Sequence, residues 1–188
     1  MFLDRNDAAM QLAGKLMKYK NDSNTIVFAI PRGDVIIADV ICKQLNLPLD
    51  IVVTRKIGAP LNKEIAIGAV DPVGGRILNH QAIIMLRVSE KYLEEEAQRK
   101  AKEAKSRLKK YRGKDDYYDL SGKNAILVDD GIATGYTVMA ALNFLRELKP
   151  KKLILGTPVI APDTLLKMEK QVEELSYVIS QEPFYAVG

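Results

Sequence analysis

The stretch Ala125-Ile-Leu-Val-Asp-Asp-Gly-Ile-Ala-Thr-Gly-Tyr-Thr137 leaves this chain few folds to choose from. Ala125 to Val128 are four apolar residues without a polar face, which suits a strand buried on both sides, and Val138 to Leu148 has helical spacing. A strand, a tight loop and a helix N-terminus therefore follow one another. Two glycines and two threonines in the loop leave the backbone N–H groups of Gly131 to Thr137 free to wrap an anion, and the helix dipole favours negative charge there. Asp129 and Asp130 would repel a bare phosphate, so they serve something attached to one: sugar hydroxyls and a bound magnesium ion fit best.

The residue types alone leave open an ordinary doubly wound domain with an acidic strand end. A nucleotide hydrolase would also need Gly-x-x-x-x-Gly-Lys-Ser/Thr, and a dinucleotide binder Gly-x-Gly-x-x-Gly after a strand; the sequence has neither. Two acids after an apolar strand, followed by Gly-Ile-Ala-Thr-Gly-Tyr-Thr, resemble the phosphoribosyl pyrophosphate (PRPP) signature of type I phosphoribosyltransferases. The resemblance implies an α/β fold, a three-layer parallel sheet flanked by helices, with a flap hairpin and a small hood, to which this chain adds a long inserted helix that compact family members lack. It also implies that Asp129 and Asp130 hold the ribose hydroxyls and, with PRPP, magnesium. The 5′-phosphate then falls to Gly131, Ile132, Ala133, Thr134, Gly135, Tyr136 and Thr137.

A chain of 188 residues suffices for one well-buried domain, so a single domain over 1–188 is expected. No apolar run approaches the ~18 residues of a membrane span, and the N-terminus lacks a signal-peptide layout, so a cytoplasmic protein without a membrane partner is expected. The one cysteine, Cys42, lies on an apolar helical stretch and reads as a buried structural thiol. With a single histidine, His80, neither a histidine-based metal site nor a nucleophile–histidine triad has its usual parts.

Along the chain, Asp4 to Tyr19 reads as a helix with Asp4 as N-cap, and Thr25 to Ile30 as a buried strand. The loop Pro31-Arg32-Gly33-Asp34 then leads into a helix reaching about Asn46. By resemblance Arg32 and Gly33 lie in the pyrophosphate loop, where family members often carry a cis peptide that Gly33 would ease; the other reading is a turn whose arginine is solvated. Leu49 to Thr54 is read as a central strand ending in Arg55-Lys56-Ile57-Gly58-Ala59-Pro60, whose cations are candidate pyrophosphate contacts at the mouth of the sheet. This pattern also resembles the adenine-type branch.

Glu64 to Val70 and Gly75 to Asn79 across Asp71-Pro72-Val73-Gly74 predict a hairpin, the flap by resemblance, which would close over PRPP and exclude water. Glu64 is carried as a candidate for handling an acceptor proton beside a solvated-residue reading, and Lys56, Asp129 and Asp130 complete the candidate catalytic set. Ser89 to Arg112 predicts a long helix with an apolar stripe of Leu93, Ala97, Ala101, Ala104, Leu108 and Tyr111. Glu95–Arg99, Glu96–Lys100 and Glu103–Arg107 are expected as its ion pairs. The net charge of +4 is concentrated here, with ten Lys or Arg against five Glu between Ser89 and Lys114. A helix lying on the domain, a dimerisation helix and a nucleic-acid surface are the three readings, with nucleic acid ranked last. The flap and long helix are expected over about 57–114 and the hood over about 158–188. Lys152 to Thr157 and Ser176 to Ser180 read as strands, Pro158 to Pro162 as a crossing into a short helix near Asp163 to Lys170, and Glu182 to Gly188 as a docked ending.

The implied reaction is transfer of the 5-phosphoribosyl group from PRPP to a nitrogen acceptor with release of pyrophosphate, a pentosyl transfer of nucleotide metabolism using magnesium, in a protein expected to be a homodimer. Ala133-Thr134-Gly135 matches adenine-type members, whereas hypoxanthine–guanine-type enzymes carry an aspartate at the place of Ala133. The alternative is a sensor that binds PRPP or a nucleotide without turnover, with a nucleic-acid-binding version kept open by the basic helix.

Overall fold

The computed structural model describes residues 2–114, 116–117 and 119–181, so the expected docked ending, Glu182 to Gly188, lies outside the described residues. Two compact units form. The first takes residues 2–52, 119–135 and 145–181; the second takes 53–117 and 136–144.

The first unit is built on a five-stranded parallel sheet in the order β2-β1-β6-β7-β8, from β1 (Thr25–Ala29), β2 (Leu49–Ile51), β6 (Asn124–Val128), β7 (Lys152–Ile160) and β8 (Glu174–Ser180). Helices flank it: α1 (Arg5–Lys15), α2 (Gly33–Leu45) and α6 (Pro162–Met168). β6 lies in the middle, paired from Thr25↔Asn124 to Ala29↔Val128 on one side and from Asn124↔Lys152 to Val128↔Gly156 on the other. That position explains its unbroken apolar run, since both of its faces are covered. Leu12 and Leu16 of the N-terminal segment, Ile37, Ile41 and Leu45 of α2, and Val27, Ile126 and Ile154 of the sheet share one core cluster. The α/β architecture with a parallel sheet is the one expected.

Caps follow the sequence closely. Asp4 accepts from the Asp7 N–H at 2.8 Å and starts α1, while Asn46, at φ 52°, ends α2 in the left-handed conformation. Cys42 is buried in the core, and burial pushes its thiol up to about 12. β7 runs three residues past its expected end, through Pro158. That proline lies beyond the last β6 pairing, at Gly156, where its missing N–H breaks no bond to β6.

The second unit contains an antiparallel sheet in the order β3-β4-β5, from β3 (Arg55–Gly58), β4 (Ala66–Val70) and β5 (Arg76–Leu78), with α3 (His80–Met85) and α4 (Glu90–Arg112). The hairpin and long helix are where the sequence places them, and Ser89 caps α4 by accepting from the Tyr92 N–H. Ala97, Ala104 and Leu108 of the expected stripe are buried, whereas Tyr111 is exposed. Two expectations need correction. β2 is an edge strand, not a central one, and Arg55 to Gly58 form a strand of their own in a different sheet. In α4 the acid–base pairs among the described residues are Arg99–Glu96, Arg99–Glu103 and Lys100–Glu103, because Arg99 lies one turn from each of two acids and takes both; the buried Glu96 is also approached by Lys63, at 3.5 Å. α5 (Tyr136–Glu147) has residues in both units. No helix among the described residues is long and apolar enough to cross a membrane.

Candidate functional site

β6 ends at Val128 and hands the chain to Asp129 and Asp130; β1 ends next to it and hands the chain to Pro31-Arg32-Gly33 and the start of α2. Two parallel strands side by side thus carry both loops to the same end of the sheet. Their acids meet there. Oxygens of Asp34, Asp129 and Asp130 all lie within 4.8 Å of one another. The Asp130 N–H donates to Asp34 Oδ1 at 3.3 Å, and the Gly131 N–H donates to Asp129 Oδ1 at 2.8 Å.

Crowding and burial decide the electrostatics. Burial first, and then the charges of Asp129 and Asp130, raise the Asp34 carboxyl well above the usual carboxylate range. Burial also raises Asp129; the Gly131 N–H opposes the shift and the neighbouring Asp130 adds to it. Among the described residues, the one ion pair to the cluster is Arg5 Nη2 to Asp130 Oδ2 at 3.7 Å. Three carboxylates converging with so little compensation form a set of hard oxygen donors of the kind that suits a divalent cation such as magnesium.

Gly33 is fixed by close approach. A Cβ on it would stand 2.7 Å from Asp130 Oδ2, so no larger residue fits without moving that carboxylate. The peptide bond between Pro31 and Arg32 is cis, one bond earlier than Gly33 itself. Arg32 is exposed and makes no ion pair among the described residues.

The phosphate-cradle expectation is corrected in extent. The N–H groups of Gly131 and Ile132 are already taken, by Asp129 Oδ1 and by the Val159 carbonyl at 2.9 Å, and the Ile132 side chain is buried. Ala133, Thr134 and Gly135, followed directly by the first turn of α5, keep N–H groups with no backbone partner among the described residues. Ala133 and Thr134 are exposed, and Gly135, at φ 76°, turns the chain into the helix. The loop is held from behind, where Thr164 Oγ1 donates to the Ala133 carbonyl at 2.5 Å.

The candidates Arg55, Lys56 and Glu64 lie in the second unit, each in an ion pair. Arg55 Nη2 stands 3.5 Å from Glu103 Oε2. Lys56 Nζ reaches both the Glu64 carboxylate and the Glu64 carbonyl at 3.1 Å. The Glu64 side chain is 89% exposed, so its environment in this unit is that of a solvated residue paired with Lys56.

Sequence reasoning missed Asp34 and Thr164. An acid in the first turn of a helix looks like an ordinary complement to the helix dipole, and that reading concealed Asp34 as the third carboxylate. Thr164 is 31 residues from the carbonyl it holds, and no local pattern reports such a bond.

A sequence model of the family described as "Phosphoribosyl transferase domain" matches residues 3–184. The protein named "Putative phosphoribosyl transferase Rv0571c" of Mycobacterium tuberculosis is 32% identical over 188 residues, which is 100% of this chain and 42% of that protein. The chain therefore spans less than half the length of the curated relative it matches. Among solved structures, TT1426 from Thermus thermophilus is similar with a TM-score of 0.76 and 33% identity, covering 100% of this chain and 88% of that one. A purine phosphoribosyltransferase from Pyrococcus horikoshii shares the fold, with a TM-score of 0.54 at 18% identity over 98% of this chain and 89% of that one.

Proposed function

The chain belongs to the phosphoribosyl transferase domain family, and from that premise we propose that it transfers the 5-phosphoribosyl group of PRPP to a nitrogen acceptor and releases pyrophosphate. The observation that carries the reading is the meeting of Asp34, Asp129 and Asp130 beside a loop with free N–H groups. A ligand that fits both must offer hydroxyls or a cation to the acids and a phosphate to the loop, and a phosphorylated sugar does so.

In this reading Asp129 and Asp130 take the ribose hydroxyls. The N–H groups of Ala133, Thr134, Gly135, Tyr136 and Thr137 take the 5′-phosphate, and Gly131 and Ile132 shape the loop. Arg32 takes the pyrophosphate, with Arg55 and Lys56 as further contacts and Glu64 as the acceptor-side proton carrier. Asp129 and Asp130, together with Asp34, are the residues that would hold magnesium, which when bound would supply charge neutralisation for the leaving pyrophosphate. The protein's own work is positioning and electrostatics: fixed carboxylates near the ring favour the positive charge that develops at the sugar. The acceptor is proposed to be a purine of adenine type, because Ala133 offers no carboxylate to an oxopurine. The working form is proposed to be a cytoplasmic homodimer.

A pyrophosphate-release assay with magnesium, PRPP and a panel of purine, pyrimidine and other nitrogen acceptors tests this, with Asp129→Asn/Asp130→Asn as control. Release that needs one acceptor and vanishes in the control supports it. PRPP binding without release from any acceptor turns the reading to a binding protein, and no binding ends it.

A further inference from the structure

Arg5 opens α1 immediately after the N-cap Asp4, and its backbone is held from both sides: Asp4 accepts from the Asp7 N–H, and Asp7 Oδ2 accepts from the Leu3 N–H at 3.0 Å. Its side chain reaches the carboxylate cluster, where Nη2 stands 3.7 Å from Asp130 Oδ2.

The contact is too long for its chemistry. An arginine that served only to neutralise Asp130 would close to the ~2.7–2.9 Å of a charge-assisted hydrogen bond. Arg5 instead makes no hydrogen bond among the described residues, although guanidinium has five N–H donors, and its Nε is buried with no partner. The side chain remains 40% exposed, so its other donors are open to a ligand. Its direction is also informative. Asp130 Oδ2, the oxygen nearest Arg5, is the one that a Cβ on Gly33 would touch. Arg5 therefore shares its nearest carboxylate oxygen with the Arg32-Gly33 loop, on the same unit.

We propose that Arg5 is a pyrophosphate-binding residue, a second cation acting with Arg32, whose unfilled donors are completed by phosphate oxygens of the ligand. The inference rests on the PRPP reading above and deepens it by adding a residue from the N-terminal helix. A planar fork of donors suits two oxygens of one phosphate, and lysine at the same place would supply charge without the fork.

The experiment is calorimetry with magnesium on the wild type, Arg5→Gln and Arg5→Lys, using PRPP, inorganic pyrophosphate and ribose 5-phosphate as separate ligands, with thermal melts to check folding. The expected result is that Arg5→Gln loses about 10- to 100-fold in affinity for PRPP and pyrophosphate while ribose 5-phosphate stays within about twofold, and that Arg5→Lys recovers part of the loss. Equal losses for all three ligands would show that Arg5 acts only through Asp130 and would overturn the proposal. Unchanged affinities would overturn it as well. If the wild type itself fails to bind PRPP, the functional reading falls and this one with it, an outcome distinct from a failure confined to the variants.

Discussion

Asp130 Oδ2 stands 2.7 Å from the point where a side chain on Gly33 would begin, so the loop before α2 and the acidic pair approach too closely to leave room for a methyl group. The obstacle is a carboxylate, which can rotate away, and the cost of rotation falls on function. Gly33→Ala is expected to fold, with a melting temperature within a few degrees of the wild type, and to lose on the order of 10²-fold in kcat/KM for PRPP, the loss that a misplacement of about 1 Å brings. Steady-state kinetics beside a melt checks this; wild-type kinetics would mean that the position of Asp130 is not critical.

Asp34 places a third carboxylate, itself buried, against two others, an arrangement that costs stability in the ligand-free protein. Asp34→Asn keeps an oxygen to accept from the Asp130 N–H and removes the ionisable carboxyl that burial and its two acidic neighbours disfavour. The ligand-free variant is expected to be more stable by roughly 0.5–2 kcal/mol, while the rise in melting temperature that magnesium and PRPP give the wild type shrinks. Differential scanning measurements with and without the pair test both halves, and a variant less stable than the wild type would show that the cluster is not a site of repulsion.

Thr164 holds the Ala133 carbonyl from behind the loop and is buried, so its hydroxyl acts on the shape of the loop and not on a ligand directly. Thr164→Val preserves volume and removes the donor. Stability should fall by about 1 kcal/mol and PRPP affinity by several-fold, with Thr164→Ser restoring both. If Thr164→Val binds PRPP as the wild type does, the loop keeps its shape without this bond.

How much was legible in advance divides along one line. β6, the hairpin and α4 follow from patterns carried within one stretch of chain: a continuous apolar run, two runs across a Pro/Gly turn, and a stripe at helical spacing. The errors concern relations between stretches. Leu49 to Gly58 is apolar then basic, and nothing in that pattern says that β2 ends at Ile51 on one sheet and β3 begins at Arg55 on another. Glu96 pairs with Arg99 and is also approached by Lys63, 33 residues earlier, a contact that the pattern of the helix does not announce. Gly131 and Ile132 look like free donors until the Asp129 carboxylate and the Val159 carbonyl take their N–H groups. The acidic pair was readable because its residues are adjacent; the third acid was not, because β1 and β6 bring it from 95 residues away.

Glu174 offers a test of the sheet far from the acids. Its side chain is 15% exposed and receives Lys18 Nζ at 2.8 Å, the Tyr19 hydroxyl at 2.7 Å and Lys152 Nζ at 3.1 Å. Burial alone would raise its pKa, but those three partners together outweigh burial and hold the carboxyl below its ordinary value. A carboxylate whose folded pKa is depressed contributes stability that is present above its unfolded value, near 4.5, and is lost as the pH falls through the lower folded value. Lys18 is 59% exposed, so solvent screens its share, and Glu174→Gln is expected to cost about 1–2 kcal/mol at pH 7. Because Gln cannot ionise, the gap between variant and wild type should narrow as the pH is lowered from about 5 to 3. Urea unfolding at both ends of that range measures it. A gap of the same size at about pH 3 as at about pH 5 would mean that packing around β8, and not the charge on Glu174, holds this edge of the sheet.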